Sequence, residues 1–193
     1  MITKIDNVLG KNEFREIQYR VLDPELPWYF GGSTAYKGVD SDLHDFSFSH
    51  LIFNKGEAIS PLFDSMLMSF LHCADRAGQN IEMIYRLRLG LITPTDTSFV
   101  HAPHIDFDDE HMTGLLYFND SDGDTILYDN FYDFGCGMAS PDYVKTLTLK
   151  EHERHKPVAN TFVSFEGNRY HSSSTPTTTK RRVVLNVNYS IVK

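Results

Sequence analysis

Two stretches in the first eighty residues repeat their apolar side chains at helical spacing. In the segment KNEFREIQYRV, residues 11–21, the apolar positions share one face. The segment PLFDSMLMSFLHCADR, residues 61–76, carries a second apolar stripe. The residues that form the two stripes are Phe14, Ile17 and Val21, and then Leu62, Met66, Phe70 and Ala74. We therefore predict two amphipathic helices, with short strands around them, in residues 1–80.

From residue 81 the pattern changes to short runs of β-branched and aromatic residues, most of them bounded by turn residues. The runs are IEMIYRLRLGLI (81–92), HMTGLLYFND (111–120), GDTILYD (123–129), ANTFVSFEG (159–167) and KRRVVLNVNYSIV (180–192). They predict a mainly β fold, a sandwich or jelly-roll barrel with helices packed on one outer face. Residues 129–158 are expected to leave the core strands, with one further strand near 143–149.

The length of 193 residues, with 41% hydrophobic and 23% charged residues, is typical of one globular domain. We expect a single domain, 1–193, with a support region of helices and short strands (1–80) and a jelly-roll core (81–193). Eighteen basic against 26 acidic residues give a net charge of −8. This charge argues against broad binding to a phosphate backbone, but it does not exclude a nucleic acid that is gripped locally.

Cysteine usage and the N-terminal segment bear on the compartment. The two cysteines, Cys73 and Cys136, are too few and too isolated for a disulfide framework. The start MITKIDNVLG lacks an apolar signal region, and no apolar run is long enough to cross a bilayer. We expect a cytoplasmic protein (in the host cytoplasm if it is viral) with no membrane partner.

The stretch HAPHIDFDDEH, residues 101–111, carries candidate metal ligands. His104 and Asp106 are two residues apart, so on an extended strand their side chains point the same way. A third ligand has to come from elsewhere, and His171 in GNRYHSSS is the best candidate. Two imidazoles and one carboxylate form the facial triad that suits Fe(II), whereas a structural zinc site is closed and usually richer in cysteine.

The order of HID, LLYFND, GDT, FEGNRYH and KRRVVLNVNY resembles the Fe(II)- and 2-oxoglutarate-dependent oxygenases, above all their prolyl-4-hydroxylase-like branch. The motifs span about residues 82–190. The resemblance implies a double-stranded β-helix, a cupin-like jelly roll, in which His104, Asp106 and His171 hold iron. It also implies a dioxygenase that uses O2 and 2-oxoglutarate, releases succinate and CO2, and hydroxylates a prolyl or other peptide side chain or a small molecule.

The family also uses a cation on the last core strand to bind the far carboxylate of 2-oxoglutarate. Lys180, Arg181 and Arg182 are the candidates, and strand alternation favours Arg182. That choice puts Asn186 and Asn188 in the site and turns the apolar stripe of the same strand towards the helices. By the same resemblance Tyr117 would hydrogen-bond the cosubstrate carboxylate, although a core tyrosine is the alternative.

The remaining polar residues give weaker indications about the substrate. Arg86 and Arg88 alternate with apolar residues, so they either face the barrel interior and bind substrate or a carboxylate, or lie exposed on an edge strand. The acidic loop 108–110 favours a neutral or cationic substrate. His101 and His111 are interpreted as surface or supporting residues. Substrate contacts are also expected for three asparagines: Asn119, Asn186 and Asn188.

Two alternatives remain at this point. One is a jelly-roll binding or structural module without turnover, since such folds host many non-enzymes. The other is a cupin-type metalloenzyme that does not use 2-oxoglutarate. An inward Arg182 beside a complete ligand set argues against both, because a buried cation without an anionic partner is costly. The substrate, the type of oxidation and the oligomeric state stay open.

Overall fold

The computed structural model describes residues 1–36, 42–135 and 140–192. Cys136, named above, lies outside these ranges. The strands are β1 Ile2–Ile5, β2 Tyr29–Gly31, β3 Ser47–Asn54, β4 Glu57–Ala58, β5 Ile81–Ile92, β6 Met112–Tyr117, β7 Thr125–Phe131, β8 Glu151–His155, β9 Phe162–Glu166, β10 Arg169–Ser173 and β11 Arg182–Ile191. The helices are α1 Lys11–Val21, α2 Phe63–Arg76 and α3 Pro141–Thr146.

The strands form two antiparallel sheets. In the described ranges the larger sheet has the order β1-β9-β6-β11-β5-β3-β2, with β4 paired to β3, and the smaller sheet has the order β10-β7-β8. Leu127 of the smaller sheet packs in one cluster with Tyr117 and Val184 of the larger one, so the two sheets face each other. The predicted fold class, a mainly β jelly roll with supporting helices, is confirmed.

Helices α1 and α2 cover the outer face of the larger sheet. The ring of Phe70 on α2 lies 4.8 Å from the ring of Tyr189 and 6.4 Å from that of Phe162, measured between centroids. Phe14 on α1 stacks on Phe118 at 6.2 Å. The alternation predicted for the last strand is confirmed, and its other face turns towards the smaller sheet. The apolar stripe of β11 joins the helix-side cluster through Val183, Leu185, Val187 and Tyr189.

The strand predicted near residues 143–149 is wrong, because this segment begins with the helix α3. Ser140 is its N-cap and accepts a hydrogen bond from the Tyr143 N–H at 3.1 Å, and Pro141 occupies the first turn. A Ser-Pro start favours a helical turn more strongly than a short apolar run favours a strand. The strand of this region is instead β8, whose polar sequence EHERH lies at the edge of the smaller sheet.

Among the described residues, no helix combines the length and apolar character that a membrane crossing requires.

We predict that Phe70→Ala destabilises the fold by about 3–5 kcal/mol, since the truncation leaves a cavity between α2 and the sheet. Phe70 is 1% exposed, whereas Met68 on the same helix is 51% exposed. Met68→Ala should change the free energy of unfolding by no more than about 0.5 kcal/mol. Chemical denaturation of the two variants checks this. Equal losses would mean that α2 does not pack through its predicted face.

Candidate metal centre and adjoining cavity

His104 and His171 are brought together by one pair of main-chain hydrogen bonds. The N–H of His104 donates to the carbonyl of His171 at 2.9 Å, and the N–H of His171 donates to that of His104 at 3.0 Å. The two imidazole centroids lie 4.5 Å apart. The extended strand expected through Asp106 does not form, because only this isolated bridge precedes a bend. The three predicted ligands nevertheless lie side by side.

The tautomer of each imidazole follows from its hydrogen bond to the main chain. Nδ1 of His104 lies 3.1 Å from the carbonyl of Ala102, and Nδ1 of His171 lies 3.2 Å from that of Arg169. A carbonyl only accepts, so each Nδ1 carries the proton and each Nε2 presents a lone pair. One ligand atom each from His104, Asp106 and His171 can be chosen so that all lie within 4.8 Å of one another.

The electrostatics keep these donors in the protonation states that a metal requires. Burial lowers the pKa of His104 to about 3, with a further contribution from His171, and burial also lowers the pKa of His171. Burial opposes ionisation of Asp106, but the positive charge of Arg86 is the largest of the nearby charges that outweigh it and hold the pKa of this carboxyl well below its usual range. At neutral pH the site offers two neutral imidazoles and one carboxylate, which are the donors of a facial triad.

The carboxylate of Asp106 is fixed by donors on β5, β6 and β11. Nη2 of Arg86 donates to Oδ1 at 2.7 Å. Nδ2 of Asn188 and Nδ2 of Asn186 donate to Oδ2 at 2.9 and 3.3 Å, and the Thr113 hydroxyl is 3.5 Å away. Donors of this kind orient a ligand and tune its basicity. Asn186 and Asn188 face inwards, as the strand alternation predicted, and both are bound to Asp106.

Arg86 binds a carboxylate, one of the two interior roles expected for it, and Asn188, which was expected to contact a substrate, binds the same Asp106 side chain. Nε of Arg86 donates to Oδ1 of Asn188 at 3.1 Å, and Phe107 covers the guanidinium, whose carbon lies 4.8 Å from the ring centroid. Asn188 is 0% exposed and donates to Thr113 as well. These side chains are occupied in holding Asp106, so their effect on a substrate is indirect.

A small cavity that is partly open to solvent adjoins the two histidines. Arg182 lines it and is 4% exposed. Its Nη2 donates to the Thr125 hydroxyl at 2.7 Å. Nε of Arg182 has no hydrogen-bond partner in the described part of the chain, and no described carboxylate lies within ion-pair distance of this guanidinium. The alternation of β11 thus buries Arg182, while Arg181 stays partly exposed.

Thr125 is a residue of this cavity that the sequence did not single out. Its hydroxyl oxygen accepts from Arg182 and, at 2.8 Å, from the Tyr117 hydroxyl. With two donors on its oxygen, Thr125 can give its own hydroxyl proton to a ligand in the cavity. Tyr117 is fully buried, and burial raises the pKa of its phenol. The signal in the sequence was the position of Thr125 at the start of a strand that follows a polar turn.

Three further polar residues, Asn119, His101 and His111, have surroundings that differ from those expected from the sequence. The amide of Asn119 donates to the carbonyl of Arg181 at 2.8 Å and accepts from the N–H of Val183 at 2.9 Å. These bonds engage the Asn119 amide with the main chain at the start of β11. His101 and His111 are 0% and 4% exposed, so the surface interpretation is wrong for both and a supporting role is left.

Solved structures of other proteins share this architecture. A prolyl-4-hydroxylase from Pseudomonas putida has a TM-score of 0.59 and 17% identity, over 97% of this chain and 91% of its own. The epimerase SnoN of nogalamycin biosynthesis, solved with Fe3+, alpha-ketoglutarate (2-oxoglutarate) and nogalamycin RO, has a TM-score of 0.65 and 16% identity, over 97% and 78%. A prolyl hydroxylase from Trichoplax adhaerens, solved with a hypoxia inducible factor peptide fragment, has a TM-score of 0.61 and 14% identity, over 97% and 82%.

No protein-family model and no curated protein sequence matches the chain. The structural likeness nevertheless extends over nearly all of it in each of these three structures. The chain therefore has the double-stranded β-helix fold of the 2-oxoglutarate- and Fe(II)-dependent oxygenases.

Proposed function

We propose that this protein is an Fe(II)- and 2-oxoglutarate-dependent dioxygenase. The observation that carries the proposal is the presence of two features at one cavity. The first is a ligand set of His104, Asp106 and His171 in which both Nε2 atoms are free to bind metal. The second is Arg182, buried without a carboxylate partner among the described residues. A dicarboxylate that chelates iron at one end and meets a guanidinium at the other satisfies both features.

The two alternatives explain less. A structural jelly roll has no need of a buried guanidinium, whose desolvation lowers stability unless an anion binds it. A cupin-type metalloenzyme without 2-oxoglutarate accounts for the ligands but leaves Arg182 without a role. In the dioxygenase proposal His104, Asp106 and His171 bind iron and Arg182 binds 2-oxoglutarate, so each of these side chains has a role.

His104, Asp106 and His171 would hold the iron, and the metal would supply the O2 activation that couples decarboxylation of 2-oxoglutarate to oxidation of the substrate. The chain contributes coordination and orientation. Arg86 and Asn188 keep the Asp106 carboxylate ionised and fixed in place. Main-chain carbonyls hold His104 and His171 in the tautomer that donates through Nε2.

At the other end of the cosubstrate, the guanidinium of Arg182 is suited to a carboxylate, which it can meet with two parallel hydrogen bonds. Thr125 adds a hydroxyl donor beside it. Tyr117 supports this arrangement because its hydroxyl donates a hydrogen bond to the Thr125 oxygen, which leaves the Thr125 proton for a ligand. We therefore assign the cosubstrate contact to Arg182 and Thr125, with Tyr117 as the residue that orients Thr125.

For the substrate we propose a range of compounds and not a single one. Among the similar structures, one prolyl hydroxylase was solved with a peptide fragment and SnoN with nogalamycin RO. A peptide side chain or a small molecule is thus the substrate range we propose, with hydroxylation as the reaction. We propose the cytoplasm as the compartment, on the basis of the sparse and isolated cysteines.

The function is tested by adding Fe(II) and then 2-oxoglutarate to the purified protein without oxygen. We expect a weak visible charge-transfer band, and slow oxygen-dependent release of succinate once air is admitted. Asp106→Ala should abolish both, whereas Asp109→Ala, at an exposed position of the same loop, should retain both. Succinate release from Asp106→Ala at the wild-type rate would refute the ligand assignment. Absence of band and succinate in the wild type would favour a non-enzymatic module.

The next prediction concerns the cosubstrate cation. Arg182→Ala should weaken 2-oxoglutarate binding by about 2–5 kcal/mol, the usual loss for one partner of a desolvated charge pair, or roughly 30- to 3,000-fold. Arg181→Ala and Lys180→Ala should each cost no more than about 1 kcal/mol, since more exposed charges contribute little. The dissociation constants are measured with Mn(II) in place of iron to prevent turnover. A large loss in Arg181→Ala with a small loss in Arg182→Ala would contradict the assignment.

Another prediction concerns Arg86 as the residue that positions Asp106. Arg86→Met should weaken Mn(II) binding by about 10- to 100-fold, the typical effect of losing a group that orients a metal ligand. It should also raise the pH below which Mn(II) dissociates, because without the guanidinium both Asp106 and His171 take up protons more readily. Arg86→Lys keeps the charge and should recover part of both effects. Unchanged Mn(II) affinity and pH dependence in Arg86→Met would show that the ion pair serves the fold alone.

A further inference from the structure

Arg88 is a second guanidinium at the cavity that makes no ion pair in the described ranges, although the nearby charge of Asp106 partly stabilises it. On β5 the side chains of Arg86 and Arg88 point to the same face, because they are two residues apart. Arg86 is bound to Asp106 and Asn188. Nε of Arg88 is buried without a hydrogen-bond partner, and no described acidic side chain forms an ion pair with this guanidinium. The same side chain lines the cavity that adjoins the two histidine ligands.

The charge of Arg88 also acts on the metal centre. Burial and nearer charges have the larger effects on the pKa values of His104, His171 and Asp106. The positive charge of Arg88 adds a smaller effect, which lowers the pKa of each of these groups. Burial, followed by repulsion from Arg86, lowers the pKa of Arg88 itself to about 10, so the guanidinium still carries its charge at neutral pH. A partly buried cation that lacks an ion-pair partner lowers stability, because its desolvation is not offset. Its presence beside the metal ligands therefore points to an anion that binds there.

Arg88 and Arg182 occupy different places along the cavity. In the register of β5 and β11, Arg88 is opposite Asn186, whereas Arg182 is opposite Ile92. Four residues of strand separate the two positions, about 13 Å along the sheet. Between them on the same face lies Gly90, which has no side chain and also lines the cavity. A single carboxylate that is held by Arg182 therefore does not satisfy Arg88.

The charges of the loaded site support a second anion. Asp106 and the two carboxylates of 2-oxoglutarate bring three negative charges. Iron(II) and the guanidinium groups of Arg86, Arg88 and Arg182 bring five positive charges. Two positive charges remain uncompensated at a cavity whose lining includes no aspartate or glutamate among the described residues. In a partly desolvated site this excess attracts an anionic substrate and repels a cationic one.

We infer that Arg88 binds a carboxylate of the substrate, and that the substrate is therefore a carboxylic acid that is oxidised near this group. The inference rests on the proposed function, because it takes Arg182 to be occupied by 2-oxoglutarate. It reverses the expectation of a neutral or cationic substrate, which was based on the acidic loop 108–110. On β3, the strand beside β5, Ser47 and Ser49 line the same cavity and offer two hydroxyls to the rest of the substrate.

Acetate is a suitable probe, because it carries the carboxylate alone, and acetamide is its neutral counterpart. The protein is loaded with Mn(II) and saturated with 2-oxoglutarate, and 13C-labelled acetate is titrated while its paramagnetic relaxation by Mn(II) is followed. We expect saturable binding close to the metal for acetate and none for acetamide. Arg88→Met should weaken acetate binding at least about tenfold. Arg154→Met, which removes an arginine of the exposed strand β8, should leave it unchanged.

Thermal unfolding shows whether Arg88→Met folds. Removal of a partly buried charge that lacks an ion-pair partner should leave the melting temperature of the ligand-free protein equal or higher. The inference is overturned if acetate relaxation is the same in Arg88→Met and in the wild type, or if the wild type binds no acetate near Mn(II). It is also overturned if Arg88→Met weakens binding of 2-oxoglutarate instead, because Arg88 would then serve the cosubstrate. Failure of the proposed function is a separate result, in which the wild-type Mn(II) protein does not bind 2-oxoglutarate at all.

Discussion

The ion pair between Asp106 and Arg86 is the interaction on which the site depends. A carboxylate with 4% exposure is costly to ionise, and without a partner it would take up a proton and lose its value as a metal ligand. Arg86 at 2.7 Å and the amides of Asn186 and Asn188 keep it ionised before any metal binds. The candidate metal site is thus organised by the sheet itself, since these donors come from two adjacent strands, β5 and β11.

The strict division between the two faces of the larger sheet makes this arrangement possible. The apolar residues of β11 pack under α1 and α2, which leaves Arg182, Asn186 and Asn188 to face the smaller sheet. A shift of one residue in the register would bury the apolar stripe in the site and turn the polar groups towards the helices. The packing of the helices therefore fixes which polar groups can reach the candidate ligands His104, Asp106 and His171.

The cavity carries a charge opposite to that of the chain as a whole. The net charge is −8, yet Arg88 and Arg182 both line the cavity. Arg86 lies next to it, bound to the candidate ligand Asp106. Net charge governs solubility and long-range encounters, whereas the local field of a desolvated cavity governs which ligand is held there. For this reason the acidic composition and the acidic loop are poor guides to the ligand that the cavity selects.

The amino-acid pattern by itself determined the two amphipathic helices, the strand β5 and the inward parity of Arg182, because each follows from the period of apolar positions. It also indicated the three candidate metal ligands, through their spacing and the family resemblance. Only the tertiary structure decided that Arg86 and Asn188 bind Asp106, that Asn119 binds the main chain of Arg181 and that His101 is buried against Ser173. The physical reason is that the role of a polar side chain is defined by its partner, and these partners lie 20 to 102 residues away in the sequence. Periodicity predicts the face on which a side chain lies, but only packing decides what that face meets.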